Sequence, residues 1–331
     1  MTHPKFNMYP EHPVAKVSAL VGAILVPLTI AEAIATHGEQ KGKTDKASVL
    51  TVPRKGEFSN FIVPGYHADG SVIADNMDRH LEHLGTTHYA IHPEKGFSIE
   101  SIKEEWLKAR EKDGHQPARI YAMSMGALLL AKLLSDEEFR HEFGEIEMIA
   151  LDGGLSGRQD LGYISKLGAL AGAILPATFS SGLLYKLVMG HEVKGSIDHD
   201  PDVTAEEVEE HLKSSADTLF SAAHKQLLFM IRNNARDMPL IKAGSEIETI
   251  RYRTPLRDNV VKPDSAIEGF SEAYQQPIEK WTETQVAFGH AIGPEWPKGV
   301  SDILQNTNRD KYRISTRELA AKAIKRHNEQ P

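Results

Sequence analysis

Ser124 lies in the pentapeptide AMSMG, residues 122–126. A serine hydroxyl becomes an effective nucleophile only when a base within hydrogen-bond reach takes its proton, and a neutral imidazole suits that task near pH 7. Two later residues could complete the set. Asp258 follows the strand-like EIETIRYRTPLR, and His290 follows the apolar QVAFG. Hydroxyl, carboxylate and imidazole in the order Ser124, Asp258, His290 are the groups of a Ser-His-Asp triad, whose chemistry is acyl transfer. Asp152, at the end of EIEMIALD, is an alternative acid. Ser124 itself has a plainer alternative role as the N-cap of the helix that follows it.

These residues are useful only if the chain brings them to one place. Ile120–Met123 run into Ser124 as a short strand would, and Ala127–Leu134 leave it as a helix would. The corner between them must be sharp, and small neighbours two before and two after, Ala122 and Gly126, relieve its crowding. On either side the pattern alternates. FSNFIV, TTHYAI, ARIYAM and EIEMIALD read as strands, and SVIADNMDRHLEHLG and SIESIKEEWLKAREKDG read as the helices between them. Strand and helix alternating at this spacing predict an α/β fold, a mostly parallel sheet with helices on both faces. Ligands bind such sheets at the carboxyl ends of the strands, where Ser124, Asp152 and the turn at Gly65 all fall. Residues 155–245 contain no convincing strand and read as a helical insertion, after which the sheet pattern resumes.

Four short segments in this order resemble the α/β-hydrolase superfamily. AMSMG stands in the place of its nucleophile elbow and VPGYHADG in that of its oxyanion loop. RTPLRDNVVKP matches its acid turn and FGHAIGP its histidine loop. The resemblance covers roughly residues 58–300. It departs at Ala122, in place of the usual first glycine of the elbow, and at Pro64, in place of the histidine that often precedes the oxyanion glycine. Neither change removes a group the chemistry needs. The resemblance implies a catalytic triad of Ser124, His290 and Asp258. The backbone N–H groups of Met125 and Tyr66 would face the developing oxyanion, the first at a helix N-terminus where the dipole favours negative charge. No metal or cofactor is implied. It also implies a helical cap over the serine, which gives a division into 58–154 and 246–331 as hydrolase core, 155–245 as cap or lid, 37–57 as a polar linker with one short strand at Ser48–Val52, and 1–36 as an apolar N-terminal segment.

Composition narrows the partners. A net charge of −8 with no long Lys/Arg run argues against a nucleic-acid phosphate track. The absence of cysteine removes disulfides, thiolate nucleophiles and Cys-ligated zinc together. His191, Asp198, His199 and Asp200 fit no familiar metal spacing. His67 and Asp69, beside the oxyanion loop, read as a solvated turn that could also bind substrate.

Two apolar stretches bear on location and substrate. Val17–Ile30 carries no charge and is followed by small-x-small sites in AEAIA, the order of an export signal, although Pro27 and Glu32 weaken it. Export or membrane anchoring is the expectation, a cytoplasmic protein with a packed N-terminal helix the alternative. Leu167–Tyr185 also lacks charge, and Pro176 with Ser180, Ser181 and Gly182 predicts two short helices joined by a bend, expected as a lid over an apolar acyl pocket, with completion of the core as the alternative. The expected function is that of a serine hydrolase acting on carboxylic esters or thioesters with an apolar acyl group, acyltransfer being open to it. The alternatives are a catalytically inactive binding protein of the same fold and a membrane-associated interaction protein.

Overall fold

The computed structural model describes residues 46–66, 68, 70–93, 96–162, 220–238, 247–254, 260–282 and 296–305. Its strands are β1 (Ser48–Val52), β2 (Ser59–Val63), β3 (Thr86–Ile91), β4 (Ala118–Met123), β5 (Ile146–Asp152), β6 (Ile247–Thr254) and β7 (Glu279–Thr282). They form one seven-stranded sheet in the order β1-β3-β2-β4-β5-β6-β7, and only the β1–β3 pairing is antiparallel. The helices are α1 (Gly70–Leu81), α2 (Ile99–Lys112), α3 (Met125–Leu134), α4 (Glu137–Phe143), α5 (Phe220–Arg232), α6 (Pro263–Tyr274) and α7 (Trp296–Gln305).

Side chains on a strand alternate between faces, and β4 shows what that does to the core. Ala118, Ile120 and Ala122 join the larger apolar cluster with α2 to α6, whereas Tyr121 and Met123 join a second cluster with α1 and α7. Both faces are thus covered, as a parallel sheet requires. Every residue of α3 except Lys132 is buried. A helix apolar on all sides has no solvent face to offer, so this one is locked in the interior directly behind the serine.

The structure adds to the sequence reading in several places. Ser48–Val52, inside the expected linker 37–57, is the antiparallel edge strand and extends the sheet past residue 58. Among the described residues the last strand is Glu279–Thr282, and the stretch QVAFG before His290 lies outside them. Helices α6 and α7 are not part of the sequence reading, although each carries an apolar stripe at helical spacing, Ala266, Phe270 and Ala273 in the first and Val300, Ile303 and Leu304 in the second. Residues 155–162, assigned to the cap, bond both to the core, at Ser124 and Val260–Lys262, and to Ala235 of the expected insertion. Of the expected insertion, α5 and a 3-10 turn at Ala235–Asp237 are described. The segments 1–36 and 167–185 lie outside the described residues. Among the described residues no helix is long and apolar enough to cross a membrane.

Candidate active site

β4 delivers Ser124 to the carboxyl edge of the sheet, and α3 begins at the next residue. The turn has no room for ordinary backbone angles. Ser124 adopts φ 47° and ψ −118°, a conformation that costs a residue with a side chain about 1–3 kcal/mol. Surrounding bonds hold it there. Its N–H donates to the Asp152 carbonyl at 2.9 Å, and its own carbonyl accepts from Ala127 N–H at 3.2 Å and Leu155 N–H at 3.3 Å. Although Ser124 occupies the N-cap position, its side chain makes no capping hydrogen bond. The plainer reading of this serine, a hydroxyl serving its helix, is therefore not the geometry observed.

The chain leaving β2 lies against this corner. A methyl group on Gly65 would stand 3.0 Å from Ser124 Cβ, and one on Gly126 would stand 2.6 Å from the carbonyl oxygens of both Val63 and Pro64. Glycine at these two positions is what lets the two turns meet. Beyond Gly65 the chain turns again, with Ala68 N–H donating to Gly65 O at 3.4 Å and His92 Nε2 standing 3.4 Å from Pro64 O. Because a trans peptide points its N–H opposite its carbonyl, the first contact fixes the direction of Tyr66 N–H. Met125, at the first position of α3, has its N–H among those that an α-helix leaves without an intrahelical partner.

Asp152 is fully buried at the end of β5. Its carboxylate accepts from Arg253 Nη1 at 2.8 and 3.0 Å and from the Tyr121 hydroxyl. Arg253 lies directly opposite it in the β5–β6 register. The alternative acid is thus engaged by a buried guanidinium and a phenol, while its backbone carbonyl holds Ser124.

Of the residues expected from sequence, Ser124, Met125, Tyr66 and Asp152 are brought to one end of the sheet. Asp258 and His290 lie outside the described residues, as do His67, Asp69, His191, Asp198, His199 and Asp200. The chain on either side of Asp258 is described. β6 ends at Thr254 beside the end of β5, and Val260 resumes packed against Gly162, whose N–H donates to its carbonyl at 2.8 Å. His290 falls between the end of β7 and the start of α7. Among the described residues no group of three His, Asp or Glu side chains is placed to hold a metal ion.

One buried residue of this end was not singled out from the sequence. Asp160 accepts from Ser156 N–H and Ser156 Oγ, both at 2.6 Å, from Gly157 N–H at 3.1 Å and from Ser265 Oγ at 2.6 Å. The Ser-Gly-x-x-Asp spacing of a carboxylate closing on its own loop was the available signal, obscured by its position at the start of the supposed cap.

No family model matches the sequence, and no curated protein matches it. Solved structures do match the fold. An α/β hydrolase, MGS-M2, from a Medee basin deep-sea metagenome library superposes with a TM-score of 0.58 at 14% identity, over 81% of this chain and 97% of that one. A thermophilic esterase from Thermogutta terrifontis gives 0.56 at 10% identity, over 82% and 98%. MenH from S. aureus gives 0.56 at 10% identity, over 80% and 98%. The chain has the α/β-hydrolase fold, with its mostly parallel sheet and with Ser124 at the strand-to-helix corner.

Proposed function

We propose that this protein is a serine hydrolase that cleaves carboxylic esters or thioesters through an acyl-enzyme on Ser124. The observation that carries the reading is the backbone of Ser124. Its φ of 47° puts the side chain at a sharp strand-to-helix corner and outside the helix cap, which is how a nucleophile elbow presents its serine. The esterases among the structural neighbours support the reading at the level of a hydrolase.

In this mechanism His290 takes the Ser124 proton as Oγ attacks the carbonyl carbon, and Asp258 holds the imidazole in the required tautomer and stabilises its protonated form. The charge that develops on the carbonyl oxygen is met by the N–H groups of Met125 and Tyr66. Collapse breaks the bond to the leaving oxygen or sulfur, which receives the proton from His290. Water then attacks the acyl-enzyme as His290 takes its proton, and collapse breaks the acyl bond to Ser124 Oγ, which receives that proton from His290 as the carboxylic acid leaves. The acyl group is apolar, a reading that rests on the uncharged stretch Leu167–Tyr185 in the sequence. The segment Val17–Ile30 directs the chain to export or to a membrane surface.

A fluorophosphonate probe tests the core of this reading. It adds one equivalent at Ser124, and Ser124→Ala abolishes both labelling and p-nitrophenyl ester hydrolysis, a fall on the order of 10⁴ or more in rate. Labelling that survives Ser124→Ala overturns it. Rates that rise as the acyl chain lengthens from two to about eight carbons support the apolar pocket, each buried methylene contributing about 0.8 kcal/mol. A strict acetyl preference removes it. A reporter active only after export, fused behind Thr36, tests the location.

A further inference from the structure

The segment from Gly154 to Gly162 touches every part of the active-site end that the structure describes beyond β5. At its start, Leu155 N–H donates to the Ser124 carbonyl at 3.3 Å, and Gly154 lies so close to α3 that a methyl there would stand 2.6 Å from Ala127 Cβ. At its middle, Ser156 O accepts from Ala235 N–H at 2.7 Å, where the chain returns from the insertion. At its end, the Asp160 carbonyl accepts from Lys262 N–H at 2.6 Å, Gly162 N–H donates to Val260 O, and Leu161 bridges Val261. Val260 is two residues beyond Asp258. One nine-residue loop therefore links the backbone of the serine to the chain that leaves the acid turn.

Asp160 holds that loop in shape. Its carboxylate is buried and accepts from four donors. Three belong to Ser156 and Gly157 of its own loop and one to Ser265 in the first turn of α6. A carboxylate removed from water requires such donors, and leaving any of them unmatched is costly in turn. The loop meets α6 again at Gly269, where a methyl would stand 2.0 Å from Ser156 Oγ. Since α6 begins at Pro263, immediately after Lys262, both contacts fix where the acid turn must end. Its beginning is fixed by β6, paired to β5 through Arg253 and to β7 through Thr254.

We infer that Asp160 is a positioning residue for catalysis, setting the acid turn in register with the Ser124 elbow. The inference rests on the proposed triad, because Asp160 acts only through Asp258. A displacement of about 1 Å in a catalytic group can lower the rate on the order of 100-fold without altering ground-state binding.

A double-mutant cycle with Asp258 tests this on the full chain, using p-nitrophenyl ester hydrolysis and fluorophosphonate labelling. Asp160→Asn lowers kcat by roughly ten- to a hundredfold with KM changed less than about twofold. In an Asp258→Asn background the same substitution changes kcat less than about twofold, since the group it positions is already disabled. Factors that multiply in the double variant, an unchanged kcat in Asp160→Asn, or a loss confined to KM overturn the inference. If Asp160→Asn does not fold, Ser265→Ala, which removes one of the four bonds, is run through the same cycle with a smaller expected fall and the same criteria. Wild-type protein that takes no label at Ser124, or an Asp258→Asn variant as fast as wild type, overturns the triad itself and this inference with it. A multiplicative cycle with both controls intact overturns the inference alone.

Discussion

Gly65 and Ser124 are in direct contact across the carboxyl edge of the sheet. A Cβ on Gly65 would lie 3.0 Å from Ser124 Cβ and 3.7 Å from Ser124 Oγ, although 59 positions separate the two residues in sequence. The turn after β2 and the turn after β4 are thus one surface, and an atom bound to Ser124 Oγ would sit beside backbone that only glycine leaves open.

The companion contact at Gly126 carries the first prediction. A methyl there would stand 2.6 Å from the Val63 and Pro64 carbonyl oxygens, both on backbone that cannot rotate aside. Gly126→Ala should cost about 1–3 kcal/mol, the range for overpacking a closed interior. It should also slow ester hydrolysis, because the Pro64–Tyr66 turn must move to admit the methyl. Chemical denaturation and steady-state kinetics check the two effects. A variant as stable and as active as wild type would mean the turns are not in contact.

Ser124 supplies the second prediction from its φ of 47°. Glycine adopts this backbone without steric cost, and alanine does not. Ser124→Gly and Ser124→Ala should both be inactive, yet the glycine variant should be the more stable by about 1 kcal/mol. Paired denaturation curves measure the difference. Equal stabilities would show that the corner is unstrained.

Much of this architecture is legible in the sequence, for reasons that are local. ARIYAM, EIEMIALD and FSNFIV are fully or almost fully buried strands, so apolar residues dominate them, with Arg119, Glu147, Ser59 and Asn60 as the interruptions. The Ser124 corner was legible because its crowding demands small residues at 122 and 126. The edge strand β1 was read as a strand but not as part of the sheet. Its five residues are mostly exposed, and pairing with β3 is a long-range choice that composition does not record. The Asp152–Arg253 pair was hidden for a related reason. A charged residue near the end of a strand looks like its solvated end, and only the register across β5 and β6 buries each against the other. Asp160 was hidden because its donors come from its own loop and from Ser265, 105 positions away.

His88 gives a pH-dependent prediction at the opposite end of the sheet. Its ring is buried, stacked 4.6 Å from Phe61, with Nδ1 2.9 Å from the Thr51 hydroxyl and Nε2 bonded to Asp113. Burial lowers its pKa below the ordinary 6.5, outweighing Asp113, which acts to raise it, while Arg110 and Lys112 add to the lowering. The neutral ring donates from Nε2 to Asp113 and accepts from Thr51. In the unfolded chain the same ring takes a proton near 6.5, so its contribution to stability is fully present above that pH. It is lost as pH falls from there through the lower folded value. His88→Gln should flatten this part of the stability profile, as measured by denaturation between about pH 7 and 5. A wild-type stability that rises on acidification across the interval would contradict the assignment.

The last prediction separates the two carboxylates that could serve the histidine. Asp152 and Arg253 are both buried, and each is the other's counter-charge at 2.8 Å. Removing one partner of such a pair leaves a charge in low dielectric, and typically costs about 3–5 kcal/mol. Arg253→Met and Asp152→Asn should therefore each be strongly destabilising, and the double variant should lose less than the sum of the two, because neither charge is then left alone. If Asp258 is the triad acid, Asp258→Asn should have the opposite character, with a rate fall on the order of 10⁴ and little change in stability, since its cost is a wrongly held imidazole rather than a broken interior. Turnover is to be normalised to the fraction of protein that labels at Ser124, which removes unfolded molecules from the comparison. On that basis Asp152→Asn should retain far more activity per labelled site than Asp258→Asn. The reverse ranking would transfer the acid role to Asp152, and would require the Arg253 guanidinium to share its carboxylate with the imidazole during turnover.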